Sequence, residues 1–250
     1  MVSAAPREGP RAGVAFKGVL LDWRGTLVVA PTYRWLEQTA LKLLDRDISA
    51  ESVDAVLARL QGADASEVES SAIDTDAALH RRAYAAWFRA ADLDEELAER
   101  LYAVESTAAL NPFAADVGPL LRTLHAAGVR IGVVSDIHVD LRPVFAQQNN
   151  PDGSSWADLV DAWALSYELG VAKPAPAIFA AALNRLGLPA EQVLMVGDRG
   201  AWDGAAAELG ITTLLLPPLR AADDLRLQRV LDLVMPGASL TNSERSPQPQ

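Results

Sequence analysis

The chain has no cysteine, which excludes disulfides, thiolate metal centres and cysteine nucleophiles. It has three histidines, His80, His125 and His138, so a multi-histidine zinc site is not expected. Lysine is scarce as well: Lys17, Lys42 and Lys173 stand among abundant arginine. No apolar run approaches the roughly 18 residues that a membrane-spanning helix needs. Met1 to Gly13 lacks the continuous apolar stretch of a secretory signal. A cytoplasmic protein without a membrane partner is expected. An excess of basic charge is also missing. The formal net charge of −11 argues against a nucleic-acid partner, because such a partner requires a basic face to displace counterions. A local basic pocket for one phosphate group is compatible with that charge.

What is present is the composition of an ordinary folded chain, 50% apolar and 22% charged over 250 residues, enough for one α/β domain with an insertion. Val14 to Leu21 is apolar apart from Lys17 and Gly18 and runs into the polar turn Asp22-Trp23-Arg24-Gly25-Thr26, the pattern of a buried parallel strand. From Pro31 to about Leu110 the period becomes helical: Val53, Val56, Leu57 and Leu60 fall on one face. Asp92-Leu93-Asp94-Glu95 has the shape of a capping box ahead of Leu97, Leu101 and Val104. Tyr84, Trp87 and Phe88 read as the apolar core of this helical unit, and Asn111-Pro112 as its return hinge.

Alternation then sets in. Helices are expected at Val117 to Leu124, Val139 to Gln148, Pro176 to Leu186, Trp202 to Leu209 and Leu227 to Val234. Strands are expected at Val129 to Val134, Leu159 to Ser166, Val193 to Gly197 and Ile211 to Leu216. The expected fold is α/β: a Rossmann-like doubly wound parallel sheet core over 14–30 and 111–235, with an inserted all-α cap over 31–110. Residues 1–13 and 236–250 are expected to be disordered tails. In such sheets the active site lies at the carboxyl ends of the strands, where Asp22, Ser135 and Asp198 each fall.

Four segments carry the chemistry: Leu20 to Leu27, Val133-Val134-Ser135-Asp136, Gly170 to Phe179 around Lys173-Pro174, and Val196-Gly197-Asp198-Arg199 running on to Asp203. Their order, spacing and strand-end placement resemble the four motifs of the haloacid dehalogenase superfamily of hydrolases, from about Val14 to Leu216. The resemblance implies an Mg²⁺-dependent phosphohydrolase acting on a small phosphorylated metabolite. Asp22 would be the nucleophile and form an aspartyl phosphate. Ser135 would donate to a phosphoryl oxygen, and Lys173 would neutralise substrate and nucleophile. Asp203 would orient Lys173 or a metal-bound water. Asp22, Asp198 and the backbone carbonyl of Arg24 would hold the metal through oxygen. Arg24, Gly25, Thr26, Asp136 and His138 would lie against the substrate.

Arg24 departs from the pattern. Related phosphatases carry a second aspartate there, which protonates the leaving oxygen and then activates water, work that typically contributes about 10²–10⁴-fold. Arginine stays protonated and cannot do it. His138 is the replacement acid/base that the sequence offers. The alternatives are a carbon–phosphorus or carbon–halogen bond hydrolase, whose branches lack that aspartate, or a catalytically impaired binding protein. The Asp22-Trp23-x-Gly25-Thr26 pattern resembles the phosphonoacetaldehyde-cleaving branch, which places a Schiff-base lysine in the cap, and Lys42 is the one lysine of the expected cap. Substrate identity rests with the cap, and a monomer and a homodimer are equally open.

Overall fold

The computed structural model describes residues 15–240, and the expectations for 1–13, Val14 and 241–250 lie outside the described residues. Five short strands form one sheet: β1 (Gly18–Leu21), β2 (Arg130–Ser135), β3 (Ala162–Leu165), β4 (Val193–Gly197) and β5 (Thr212–Leu215). All pairings are parallel, in the order β3-β2-β1-β4-β5. Alternate residues feed two apolar layers, as the period of two dictates. Val19, Leu21, Val133, Leu194 and Val196 join one layer, and Leu20, Val134 and Met195 the other. The first layer is covered by α5 (Val117–Ala126), α6 (Arg142–Ala146) and α9 (Gln228–Val234), the second mainly by α8 (Pro176–Leu186). This is the doubly wound core.

Between β1 and β2 the chain makes α1 (Tyr33–Leu43), α2 (Ala50–Gly62), α3 (Ala77–Ala90) and α4 (Glu95–Glu105). Each begins at an oxygen-bearing residue, Thr32, Ser49, Asp76 or Asp94, whose side chain accepts from a backbone N–H of the first turn. Such caps are worth about 1 kcal/mol apiece. The four helices bury their own core of Leu36, Val53, Val56, Leu60, Trp87, Phe88, Leu97 and Leu101, as the cap reading expects. No described helix is long and apolar enough to cross a membrane.

Several boundaries move. The capping box at Asp92 is not formed: Asp94 is the cap, and Asp92 takes a positive φ of 53° in the turn after α3. Residue N3 is then Leu97, which has no carboxylate to return the bond. Pro143 confines the helix expected over Val139 to Gln148 to α6, because proline fits only in a first turn. Trp202 to Leu209 winds as a 3₁₀ helix over Asp203–Leu209. Residues 236–240, assigned to a tail, belong to the core. Leu240 and Ala238 pack against it, the Leu240 N–H donates to Gln228 Oε1, and Gln228 Nε2 donates to the Ala238 carbonyl.

Candidate active site

The register of the sheet assembles the site. Leu21 is level with Val133 on β2 and Val196 on β4, and the Asp22 N–H donates to the Val196 carbonyl at 2.9 Å. Asp22 therefore leaves the sheet beside Ser135, the last residue of β2, and Asp198, which follows β4. Lys173 reaches the same point from the loop between α7 (Ser166–Leu169) and α8. Its Nζ donates to Asp22 Oδ1 at 2.5 Å and to Asp203 Oδ1 at 2.6 Å. Asp22, Ser135, Lys173 and Asp203 are all buried. The Thr26 hydroxyl donates to the other Asp22 oxygen at 3.2 Å.

Asp203 works at two ends. Its second oxygen accepts from the N–H groups of Asp198 (3.1 Å) and Arg199 (2.9 Å), so it shapes the loop that presents Asp198 while it holds Lys173. Two glycines make room for this packing. A Cβ on Gly25, whose φ is +83°, would lie 2.3 Å from Asp198 Oδ2, and one on Gly197 would lie 2.2 Å from the Asp203 carboxyl carbon. Asp136, expected against the substrate, instead accepts the Lys173 backbone N–H at 2.8 Å and so fixes the lysine loop. Among the described residues the Ser135 hydroxyl makes a marginal 3.5 Å contact to the Asp136 carbonyl.

The cluster carries more negative charge than its lysine offsets. Burial, opposed by Lys173 and aided by Asp203, pushes the Asp22 carboxyl up to about 6. Burial and then the charges of Asp22 and Asp203 do the same to Asp198, also to about 6. Burial works against the Lys173 ammonium, but Asp22, Asp203 and Asp136 outweigh it and hold the group above its ordinary value. Oxygens of Asp22, Asp198 and Asp203 lie within 4.8 Å of one another. Asp198 Oδ1 is buried without a hydrogen-bond partner among the described residues. An all-oxygen donor set with a surplus of charge and an orphaned carboxylate oxygen fits a hard divalent cation such as Mg²⁺.

Arg24 turns away from this cluster. Its NH1 meets Glu105 Oε1 at 2.6 Å, NH2 the Glu105 carbonyl at 3.1 Å, and Nε the Asn111 side-chain oxygen at 3.0 Å. The guanidinium expected at the substrate thus latches the first motif loop to the end of α4 and to the hinge. Glu105 and Asn111, both buried, were not marked as site residues, since nothing in a capped helix end or an Asn-Pro pair announces an arginine partner 80 or more residues away. His138 is buried as well. Its ring stacks on His80 of the cap with centroids 3.4 Å apart, and its Nε2 lies 3.0 Å from Ser106 Oγ. It is a cap–core contact. Trp23 is fully buried in the core against Phe113 and Phe145, while Trp202 lies under the Arg199 guanidinium. Lys42 is exposed in the last turn of α1.

A strand-end aspartate pair, a buried lysine and a helical cap together carry a family signature, and the family model described as haloacid dehalogenase-like hydrolase matches residues 16–210. The chain belongs to that family. It is 32% identical over 116 residues to a (S)-2-haloacid dehalogenase of Pseudomonas fluorescens, a match that covers 46% of this chain and 47% of that protein. The chain thus spans about half the length of the curated relative it matches. A 2-haloacid dehalogenase structure from Pseudomonas syringae pv. tomato superposes with a TM-score of 0.55 at 21% identity, over 80% of this chain and 86% of the other. A haloacid dehalogenase family enzyme from Bacteroides thetaiotaomicron, solved with magnesium and inorganic phosphate, gives 0.57 at 17% identity, over 81% and 95%. These structural likenesses establish the fold. The chain's structural neighbours include both proteins described as dehalogenases and one described as a predicted phosphoglycolate phosphatase.

Proposed function

We propose that the protein is an Mg²⁺-dependent phosphohydrolase that cleaves a small phosphorylated substrate through an aspartyl phosphate on Asp22. The observation that supports this reading is Asp198, a second carboxylate beside the nucleophile, with a buried oxygen unpartnered among the described residues and a proton affinity raised by burial and then by Asp22 and Asp203. A metal-free carbon–halogen hydrolase has no use for that extra charge. Asp22, Asp198 and the Arg24 carbonyl would hold the cation, which supplies neutralisation of the phosphoryl charge when bound.

The chain's own groups do the rest. Lys173 keeps Asp22 ionised and aimed, and with the Ser135 hydroxyl it holds the phosphoryl oxygens. An Asp22 oxygen forms the bond to phosphorus as the bond to the ester oxygen breaks, and the alkoxide or aryloxide leaves with that electron pair and takes its proton from solvent. Water then attacks phosphorus, which releases inorganic phosphate and restores the Asp22 carboxylate. Asp203 is a positioning residue. Arg24 donates no proton to the departing oxygen, so turnover depends steeply on the leaving group.

A second reading is favoured by Arg24 itself together with the 32% identical relative named as a (S)-2-haloacid dehalogenase. A halide leaves without a proton, so a site lacking the acid aspartate would suit it, with Asp22 forming an ester to carbon. One panel separates the two: phosphate release from aryl and alkyl phosphates, and chloride release from (S)-2-chloropropionate, each with Mg²⁺ and with EDTA. The phosphatase reading expects EDTA-sensitive phosphate release, much faster for aryl esters. EDTA-insensitive chloride release without phosphatase activity would overturn it, and so would turnover of neither class.

A further inference from the structure

The turn that follows the nucleophile is held from a stretch of chain that takes no part in the chemistry above. Inside the turn the N–H groups of Thr26, Leu27 and Val28 donate to the Trp23 carbonyl, and the Gly25 N–H donates to the Val28 carbonyl. The Gly25 and Thr26 carbonyls find their donors elsewhere, as buried backbone oxygens must. Gly25 accepts the Leu219 N–H at 2.8 Å. The other donor is Arg226, 200 residues beyond Thr26: its NH2 group reaches the Thr26 carbonyl at 2.7 Å and the Gly25 carbonyl at 3.3 Å. The NH1 group donates to the Pro217 carbonyl.

Arg226 is 8% exposed and lies between β5 and α9. Asp116, just before α5, fixes this segment, because one of its oxygens accepts the backbone N–H groups of Arg226 and Leu227, each at 2.7 Å. The Ala114 N–H donates to the Leu27 carbonyl at 2.9 Å, so residues 25–27, 114–116 and 217–227 meet in one buried junction. Burial pulls the guanidinium below its ordinary proton affinity, and the charges of Asp116, Asp224 and Asp198 oppose the pull. Arg226 Nε is buried with no hydrogen-bond partner among the described residues. A buried cation with an idle N–H costs stability, so packing alone does not account for it. What it supplies is a rigid planar group with donors for three carbonyls at once.

The two turn carbonyls flank the atoms that address the nucleophile. The Thr26 hydroxyl donates to Asp22 Oδ2, and the Arg24 carbonyl, one peptide before Gly25, is the backbone ligand assigned to the cation. We propose that Arg226 is a positioning residue for the active site. Its guanidinium fixes the Gly25 and Thr26 peptides, and through them aims the Thr26 hydroxyl at Asp22 and the Arg24 carbonyl at the cation. The step to the cation rests on the Mg²⁺ reading above; the step to the turn does not.

The test combines amide hydrogen exchange of the metal-free full chain, read by mass spectrometry, with calorimetric titration by Mg²⁺ at pH 7.5. Arg226→Met should quicken exchange over residues 22–28 by about tenfold or more relative to β4 and α8, and weaken Mg²⁺ binding by a similar factor. Arg226→Lys keeps the charge and loses the planar group, so the turn should still quicken by about threefold, which decides the case if the methionine variant does not fold. Leu186→Ala opens a cavity at the other end of β1, where Leu186 lies beside Gly18, and should lower Tm without moving the relative exchange or the Mg²⁺ affinity. Exchange over 22–28 that quickens only in step with the rest of the chain, or not at all, would overturn the proposal. So would Mg²⁺ binding that stays at the wild-type strength while the turn loosens. A wild-type chain that binds no Mg²⁺ would sink the Mg²⁺ reading instead, and the exchange comparison alone would then decide the role of Arg226.

Discussion

At the strand ends, Asp22, Ser135 and Asp198 are delivered by β1, β2 and β4, neighbours whose register is set by backbone pairing. At the cap seam, Arg24, Glu105, Asn111, Asp74, His80 and His138 come from a motif loop, a helix end, a hinge, a turn, a helix and a second loop, and meet through their side chains, with backbone bonds joining the motif loop to the hinge. The first site is rigid because the sheet is. The second exists only while the cap lies on the core, so it is the place where closure can be stabilised or broken. Chemistry and closure are thus separated in the molecule, and substitutions should separate them too.

The largest effect is expected from Asp22→Asn, which removes the nucleophile and should lower kcat by more than about 10³-fold with the circular dichroism spectrum unchanged. Lys173→Met strikes the same site through charge. It leaves Asp22 and Asp203 buried without their cation, and urea unfolding at neutral pH should show a loss of about 3–5 kcal/mol. Arg24→Ala tests the seam instead: Glu105 loses its partner, at about 1–3 kcal/mol, and protease cutting within the cap should quicken while the metal site persists. Replacing Arg24 with aspartate to restore an acid would set two carboxylates together, so the informative variant is Arg24→Asp with Glu105→Gln. It should speed alkyl phosphates more than aryl phosphates, and equal gains would contradict the assigned role.

Protons distinguish the regions as well. The carboxyls of Asp22 and Asp198 sit near 6 in the folded, metal-free protein, above the ordinary 3.8. A raised folded value favours the protonated form, so this stabilisation is complete below about 4 and is lost as pH rises through about 6. Tm of the metal-free protein should fall over that window, and Mg²⁺ should restore it above pH 6. The smallest effect belongs to the cap interior, where Glu37 of α1 is buried with neither oxygen hydrogen-bonded among the described residues. Burial pushes its carboxyl up to about 7, with Arg34 pulling down and Asp54 adding to the rise. Glu37→Met should stabilise the protein above pH 7 by on the order of 1 kcal/mol and change little below pH 4.5.

The same contrast explains what the sequence revealed. Strand β1 and its aspartate were legible because a short apolar run stopped by a polar Gly-containing turn has few other meanings, and three such stops align at one sheet edge. The cap's existence was legible from the change of period at Pro31, and its core from Tyr84, Trp87 and Phe88. The partner of Arg24 was not, because ion pairs spanning 81 residues leave no local pattern. Asp74, which faces the stacked His80 and His138 across the seam, was missed for the same reason, lying in a segment of turns without periodicity. Asp136 was placed in the right loop, but its bond to the Lys173 N–H was not foreseen: motif spacing locates a side chain without telling which neighbour it will bond.

The central claim is that the strand-end carboxylates form a site for one divalent cation, and calorimetric titration with Mg²⁺ tests it most directly. The wild-type chain at pH 7.5 should bind one Mg²⁺, weaken at pH 5 as Asp22 and Asp198 take up protons, and lose the ion in Asp198→Asn. A folded wild-type chain that takes up no Mg²⁺ at pH 7.5, or an Asp198→Asn variant that binds it equally well, would contradict the account.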